Sequence, residues 1–474
     1  CEISRLPDEI FDCPVLEVIH LDGNQLMEIP NTIWKANRLQ IFTFTSNKVK
    51  RLPIEMGRIR KNIKALEMSG NPIIAPPRDI WTKGTQATLE FCQHVLNART
   101  RHEFIYSDRE LGSYPIDIEL LVDRPPNENG DQGPFGAVKV DLSKNKIRRI
   151  PENIGANDSM EILNLSSNLI ATVDAAIGMC SRLTDLDLSR NELSGLPTTL
   201  IMLTNLTSVK IPENKTISKF PDDFFEKVLK LTLLDAEDNR LTEIPLEIKN
   251  LTMLTHLDFG RNKISIVPKE IGELERLKIL KIHHNAIQAL PSAIGRLMEL
   301  ALFDASENKL TTVPRNLCRC TKLVECRLAA NRITQVPIEM GKLPIIENFS
   351  LEDNKACKAP PYEVISKGSD TVLEYFRGFL KARSDHKLSL VDLGMITFPR
   401  DAAAFADLVS IDFSDNQMQA LPARVNLFSA LTSLNMNNNR LVKVPDGLGD
   451  VTTLTYLNLG NNNLDDLPST VGNL

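Results

Sequence analysis

Apolar residues return along this chain with a strand-like alternation at a fixed interval. In LDLSRNELSGLP, residues 186–197, Leu186 and Leu188 flank Asp187. Period two predicts a short strand with leucine inward and aspartate outward. An asparagine follows the second leucine by three positions, and this phase repeats. It falls at Asn24, Asn47 and Asn71. It returns at Asn145, Asn168, Asn191, Asn214, Asn239, Asn262, Asn285, Asn308, Asn331 and Asn354, and again at Asn416, Asn439 and Asn462. Within each group the spacing is 23, with one 24 and one 25. Sixteen matches in one phase make an internal repeat the organising fact of the chain.

Each part of the repeat has a physical reason. The asparagine amide sits where the chain turns and can bond backbone groups of its own and the adjacent coil, so stacked coils form a ladder. Proline follows six residues after most of these asparagines, as at Pro197, Pro245, Pro268 and Pro291. Its fixed φ and missing donor suit an outer arc that needs no ladder hydrogen bond. A segment such as Ile271-Gly272-Glu273-Leu274 closes the turn. One coil cannot bury its own leucine face but stacked coils can, so stability becomes a sum over neighbours. The predicted fold is an α/β solenoid: a leucine-rich-repeat horseshoe with a parallel β-sheet on its concave face and two helical inserts.

The consensus LxxLxLxxNxLxxLPxxIGxL resembles intracellular leucine-rich-repeat proteins of the Ras-group type. That class includes the Scribble and Erbin scaffolds and the repeat arms of Roco proteins. The resemblance covers roughly three quarters of the chain and is specific for fold rather than function. It implies a protein-binding scaffold in signal transduction, with a small Ras-like GTPase or its regulator as natural partner. A different class of reading is a regulatory recognition arm of a larger Roco-type GTPase, kinase or other multidomain enzyme.

The phase breaks twice, after Asn71 and after Asn354. A shift of 284 places Pro77 on Pro361, Gly84 on Gly368, Leu89 on Leu373, Arg99 on Arg383 and His102 on His386, so two related modules stand in tandem. Each break reads as a Pro-Pro turn and an amphipathic helix: Leu373, Phe376 and Leu380 with Tyr375 and Phe379 in one, and Leu89, Phe91, Val95 and Leu96 in the other. Both resemble the PPxx(I/V)xxKGxxxxLxYL tail that ends repeat arrays in the same class. The expected organisation is repeats over 1–71, a helical cap-like insert over 72–123, and repeats over 124–354 after a flexible loop at 124–136. A second insert then covers 355–387, and repeats cover 388–474. The second module resumes at Leu388 and Leu390, with Leu393 in the asparagine slot. A weaker match in the first uses Ile118, Leu120 and Asp123. Both ends stop mid-coil, so further repeats or domains are expected in a full-length protein.

Composition narrows the function. Hydrophobic residues make up 42% of 474 and aromatics 5%, which suits many similar core slots. A net charge of −6 argues against nucleic acid or an anionic membrane as the main partner. No apolar run reaches the length of a membrane span. The expected location is cytoplasmic, with any membrane association coming through partners.

The eight cysteines do not cluster at the ends as secreted disulfide caps do, so a reduced, intracellular state is expected. Cys13, Cys180 and Cys320 each lie three residues before a strand motif, and Cys326 takes a second-leucine slot. All four read as small core hydrophobes rather than metal ligands. His256, His283 and His284 read as solvated inner-face residues. Six N-x-S/T triplets fall within an asparagine-rich repeat and carry little weight. No P-loop, HExxH, GxSxG or kinase signature appears, so neither catalysis nor a cofactor is expected. The remaining chemistry lies on the outward strand positions. Asp187, Lys210, Asp235, Asp258, Lys281, Asp304 and Arg327 form a mixed-charge row suited to orienting a polar protein surface. The row itself leaves the identity of the partner and the oligomeric state open.

Overall fold

The computed structural model describes residues 2–115, 137–157 and 159–474. They divide into two compact units, Cys1–Arg240 and Leu241–Leu474. The loop expected at 124–136, and the weak match at Ile118, Leu120 and Asp123, lie outside the described residues.

Each coil contributes a three-residue parallel strand whose central side chain is buried, except in the last, Tyr456–Asn458, where Leu457 is half-buried. In the first unit Val18–His20, Ile41–Thr43 and Ala65–Glu67 pair in that order. A second set runs from Glu103–Ile105 through Lys139–Asp141, Ile162–Asn164, Asp185–Asp187 and Ser208–Lys210 to Leu233–Asp235. In the second unit His256–Asp258, Ile279–Lys281, Leu302–Asp304, Glu325–Arg327 and Asn348–Ser350 pair in sequence. Lys387–Ser389, Ser410–Asp412, Ser433–Asn435 and Tyr456–Asn458 form another set. Register advances by one coil per strand, as Leu257↔Leu280↔Phe303↔Cys326 shows. All four of these side chains are fully buried.

Proline starts the return leg. Pro268 and Pro291 precede the 3-10 turns Lys269–Glu273 and Ser292–Arg296, with φ of −70° at both. Their carbonyls accept from Ile271 and Ile294 at 3.2 and 3.1 Å, and their missing N–H has no place in that bond. The I-G-x-L segment is therefore the turn itself, with Ile271 and Gly272 buried.

The asparagine ladder is built as its spacing predicts. Asn308 Nδ2 donates to Ala305 O at 3.2 Å and Ser306 O at 3.1 Å in its own coil, and to Ile282 O at 2.9 Å in the preceding one. Its Oδ1 accepts from Ile287 N at 3.0 Å. Asn168, Asn191, Asn331 and Asn416 repeat this pattern. Asn239 departs from it: its buried Oδ1 has no hydrogen-bond partner among the described residues. The coil leading to it is the 25-residue one, and Thr216 N bonds Asn214 O at 2.8 Å instead of reaching the next rung.

A second column escaped the sequence reading. The residue before every ladder asparagine has positive φ. It is glycine at Gly23 and Gly70, and elsewhere a non-glycine residue with φ between 52° and 58°, from Ser46 to Asn461. None of these is β-branched, which is the signal that could have revealed the column.

The two inserts are 17-residue helices, Thr85–Arg101 and Ser369–Asp385. Each follows a glycine of positive φ and ends at a left-handed histidine, His102 or His386. Val372, Leu373, Tyr375, Phe376, Phe379 and Ala382 are buried on the second helix. Gly57 and Gly341 allow the helices to approach closely: an added Cβ would fall 2.5 Å from Gln93 N and 2.9 Å from Phe376 Cβ respectively. Repeats resume directly after each helix. Leu388, in the strand Lys387–Ser389, and Leu390, just after it, are buried. In the first unit the resuming strand is Glu103–Ile105, with Phe104 and Tyr106 buried. It precedes the 118–123 match because Tyr106 and Phe104, aromatic rather than leucine, take the slots.

Cys180, Cys320 and Cys326 are buried, and Cys13 is exposed, which corrects its expected place in the core. The thiols of Cys180 and Cys320 each donate to a carbonyl 26 positions back, Ile154 O and Ile294 O, both at 3.4 Å. No helix among the described residues is long and apolar enough to cross a membrane. The architecture is a leucine-rich-repeat solenoid fold in both units.

Candidate interaction surface

Register brings the outward charges into rows. In the first unit Asp187, Lys210 and Asp235 are direct cross-strand neighbours. In the second, Asp258, Lys281, Asp304 and Arg327 are. Opposite charges alternate along each row, the favourable cross-strand arrangement.

The carboxylates have a structural task that the sequence reading missed. Asp187 Oδ1 accepts from Ser189 N at 3.0 Å, Asp235 from Glu237 N at 3.1 Å, Asp258 from Gly260 N at 3.0 Å and Asp304 from Ser306 N at 3.0 Å. One oxygen of each thus closes the turn that leaves the strand. The recurrent pattern Asp/Asn-x-Ser/Gly, as in Asp187-Leu188-Ser189 and Asp258-Phe259-Gly260, carried that signal. The second oxygen meets the cations. Lys281 Nζ lies 3.0 Å from Asp258 Oδ2, and Arg327 Nη1 lies 3.4 Å from Asp304 Oδ2. Arg327 also donates from Nε and Nη2 to Glu325 Oε1 at 2.8 and 2.6 Å. That bond leads the causes that raise its guanidinium further above the ordinary arginine value. Asp304 is only 5% exposed, so the solvent-facing charge of this row lies mainly with Lys281 and Arg327.

The adjacent row reads His256, Ile279, Leu302 and Glu325 in register. Ile279 and Leu302 are half-buried, so an aliphatic strip lies between the imidazole and the carboxylate. Burial, then Lys278 and Lys281, hold His256 below the ordinary histidine range, and its Nδ1 lies 2.7 Å from Thr255 Oγ1. His283 follows the next strand, and His284 Nε2 lies 2.7 Å from Glu307 Oε2. Among the described residues, no three His, Cys, Asp or Glu side chains group to hold a metal ion. On the later strands asparagines take over much of the face: Asn435, Asn437, Asn438 and Asn461 bond one another and the carboxylates of Asp412 and Asp415.

The surface can therefore offer alternating fixed charges beside aliphatic area, on a backbone whose turns are closed by the same carboxylates.

The Leucine Rich Repeat family matches residues 453–474. Among solved structures, a Leptospira interrogans LRR protein is 21% identical over 98% of this chain and 95% of its own, with a TM-score of 0.45. The plant peptide hormone receptor RGFR1 in complex with RGF2 is 22% identical over 99% of this chain and 78% of its own, with a TM-score of 0.44. The Arabidopsis receptor kinase HAESA, in complex with the peptide hormone IDA and the co-receptor SERK1, is 20% identical, with coverages of 99% and 74% and a TM-score of 0.47. Leucine-rich-repeat proteins generally mediate protein–protein recognition.

Proposed function

We propose that this leucine-rich-repeat solenoid is a protein-binding scaffold whose solvent-facing sheet surface holds a signalling partner. Asp187, Lys210 and Asp235 in one unit, and Asp258, Lys281, Asp304 and Arg327 in the other, are the contact rows of this reading. The observation that carries it is the pairing of Lys281 with Asp258 and of Arg327 with Asp304 beside the half-buried Ile279 and Leu302. Alternating charge fixes orientation and register, and aliphatic area supplies affinity. The repeat consensus supports a Ras-like small GTPase or its regulator as the partner class, in the cytoplasm.

The test uses the cations, because replacing the aspartates would open the turns. Lys281→Glu with Arg327→Glu should abolish co-purification of the partner recovered by the wild-type chain, in a variant whose melting curve shows that it is folded. Retained co-purification by the folded double variant would overturn the assignment of this face.

A further inference from the structure

A cluster of cations lies away from the sheet surface, on the outer arc of the second unit. There the 3-10 turns Arg315–Arg319 and Ile338–Lys342 stack on consecutive coils. A recess of 520 Å³ lies between them, lined by Arg315, Arg319 and Lys342 together with Asn316 and Thr321.

Glu339 is the strut of this recess. It is 5% exposed, and its Oε1 lies 3.0 Å from Arg315 Nη2 and 2.7 Å from Nη1 of Arg383 on the Ser369–Asp385 helix. One buried carboxylate therefore positions two guanidiniums. Each guanidinium keeps further N–H donors, since the group carries five. Arg319 and Lys342 are exposed and form no ion pair among the described residues. Three cations, Arg315, Arg319 and Lys342, thus line the recess against the single carboxylate of Glu339, in a chain whose net charge is −6.

The first unit supplies an internal comparison. The shift of 284 carries Glu339 to Glu55 and Arg383 to Arg99, and this ion pair is kept at 3.3 Å. The open cations are not kept open. Lys35, the counterpart of Arg319, is bound to Asp12 at 2.8 Å. Arg58, the counterpart of Lys342, stacks over Trp34 at 5.2 Å. In the second unit the position of Asp12 is Arg296 and that of Trp34 is Cys318. The neutralising acid and the plugging ring have both been exchanged, one for a cation and one for a small side chain. Arg315 replaces Asn31 in the same comparison.

We infer that the recess at Arg315, Arg319 and Lys342 is a binding site for a phosphate monoester. Such a group carries about −1.5 to −2 charge at neutral pH and three strong acceptor oxygens. Guanidinium forks match those oxygens two at a time, and a lysine adds a point charge. Asn316 and Thr321 add neutral donors at the rim. The site is separate from the sheet surface, and neither reading depends on the other.

The experiment is calorimetric titration of the full chain at physiological ionic strength. The probes are O-phospho-L-serine, serine, a phosphoserine heptapeptide and a hexose phosphate. One saturable site for the phosphorylated probes and none for serine is expected. Whichever of peptide and sugar phosphate binds tighter identifies the source of the group. Arg319→Glu with Lys342→Glu should weaken binding by at least about tenfold, and Lys61→Glu, in the first unit, should leave it unchanged. Cys318→Trp should also weaken it, with every cation retained, because it restores the ring of the first unit. Melting temperatures show that the variants are folded. If Cys318→Trp fails to fold, the surface charge reversals still decide the question. No saturable binding of any phosphorylated probe, or equal binding by the folded Arg319→Glu/Lys342→Glu variant, would overturn the site.

Discussion

The hydroxyl of Ser369, at the start of the Ser369–Asp385 helix, accepts the backbone N–H of Phe349 at 3.0 Å. Thr85 does the same for Leu66 at 2.9 Å in the first unit. Phe349 lies on the last strand before the insert, so this N–H has no following strand beside it. A helix that interrupts a ladder must satisfy the donors it strands. Ser369→Ala should therefore lower stability by about 1–2 kcal/mol, and Ser369→Thr by much less, since Thr85 already performs the task. Urea midpoints of the two variants check this; equal midpoints would assign the hydroxyl no role.

The ladder makes a sharper comparison. Asn308 loses three donated bonds and one accepted bond on truncation, all at a buried site. Asn239 loses three donated bonds, and its Oδ1 accepts none among the described residues. Asn308→Ala should cost about 3 kcal/mol, and Asn239→Ala about 1 kcal/mol less. The reverse order in denaturant melts would mean that the orphaned oxygen is bonded in solution.

The positive-φ column predicts a backbone effect with little change of contacts. Ala330 has a φ of 53°. Ala330→Gly should be neutral or slightly stabilising, and Ala330→Val destabilising by about 1–2 kcal/mol, because a β-branched residue resists this region. Thermal melting of the pair measures the difference, and a Val variant as stable as wild type would refute it.

Much of this architecture was legible, and the failures have physical reasons. The asparagines were readable because one side chain serves two coils, so no other residue type substitutes without loss. The residue before them was harder to read, since Ser, Lys, Arg, Glu, Asp, His, Ala and Asn share no chemistry and are marked only by the absence of β-branched side chains. Asp187 and Asp304 were read as recognition groups because their outward position is a matter of period two. Their bonds to Ser189 and Ser306 required local turn chemistry as well. Cys13 was placed by phase alone, and phase gives a slot in the repeat rather than its burial. The recess at Arg319 needed coordinates, since its members come from two consecutive coils.

Asp401 gives a pH dependence. Its carboxylate is buried, accepting from Tyr375 Oη at 2.9 Å and Gln335 Nε2 at 3.0 Å. Burial raises its pKa, and the two hydrogen bonds offset only part of that. A carboxyl whose folded value lies above its unfolded value holds its proton more tightly when folded. Stability from this group is present below the ordinary aspartate range and is lost as pH rises through the raised folded value. Asp401→Asn should flatten that part of the stability profile, with Gln335 turning its amide to accept. Urea melts across mildly acidic pH check it; an unchanged slope would show that another group is responsible.

Differential lysine acetylation, read by mass spectrometry with and without the co-purified partner, tests the interaction surface most directly. Lys210 and Lys281 should be protected in the complex, while Lys249, on the turn Leu246–Asn250, and Lys322, between the turn Arg315–Arg319 and its following strand, should stay reactive. Protection of Lys249 and Lys322 with Lys210 and Lys281 still acetylated would contradict binding at the sheet surface.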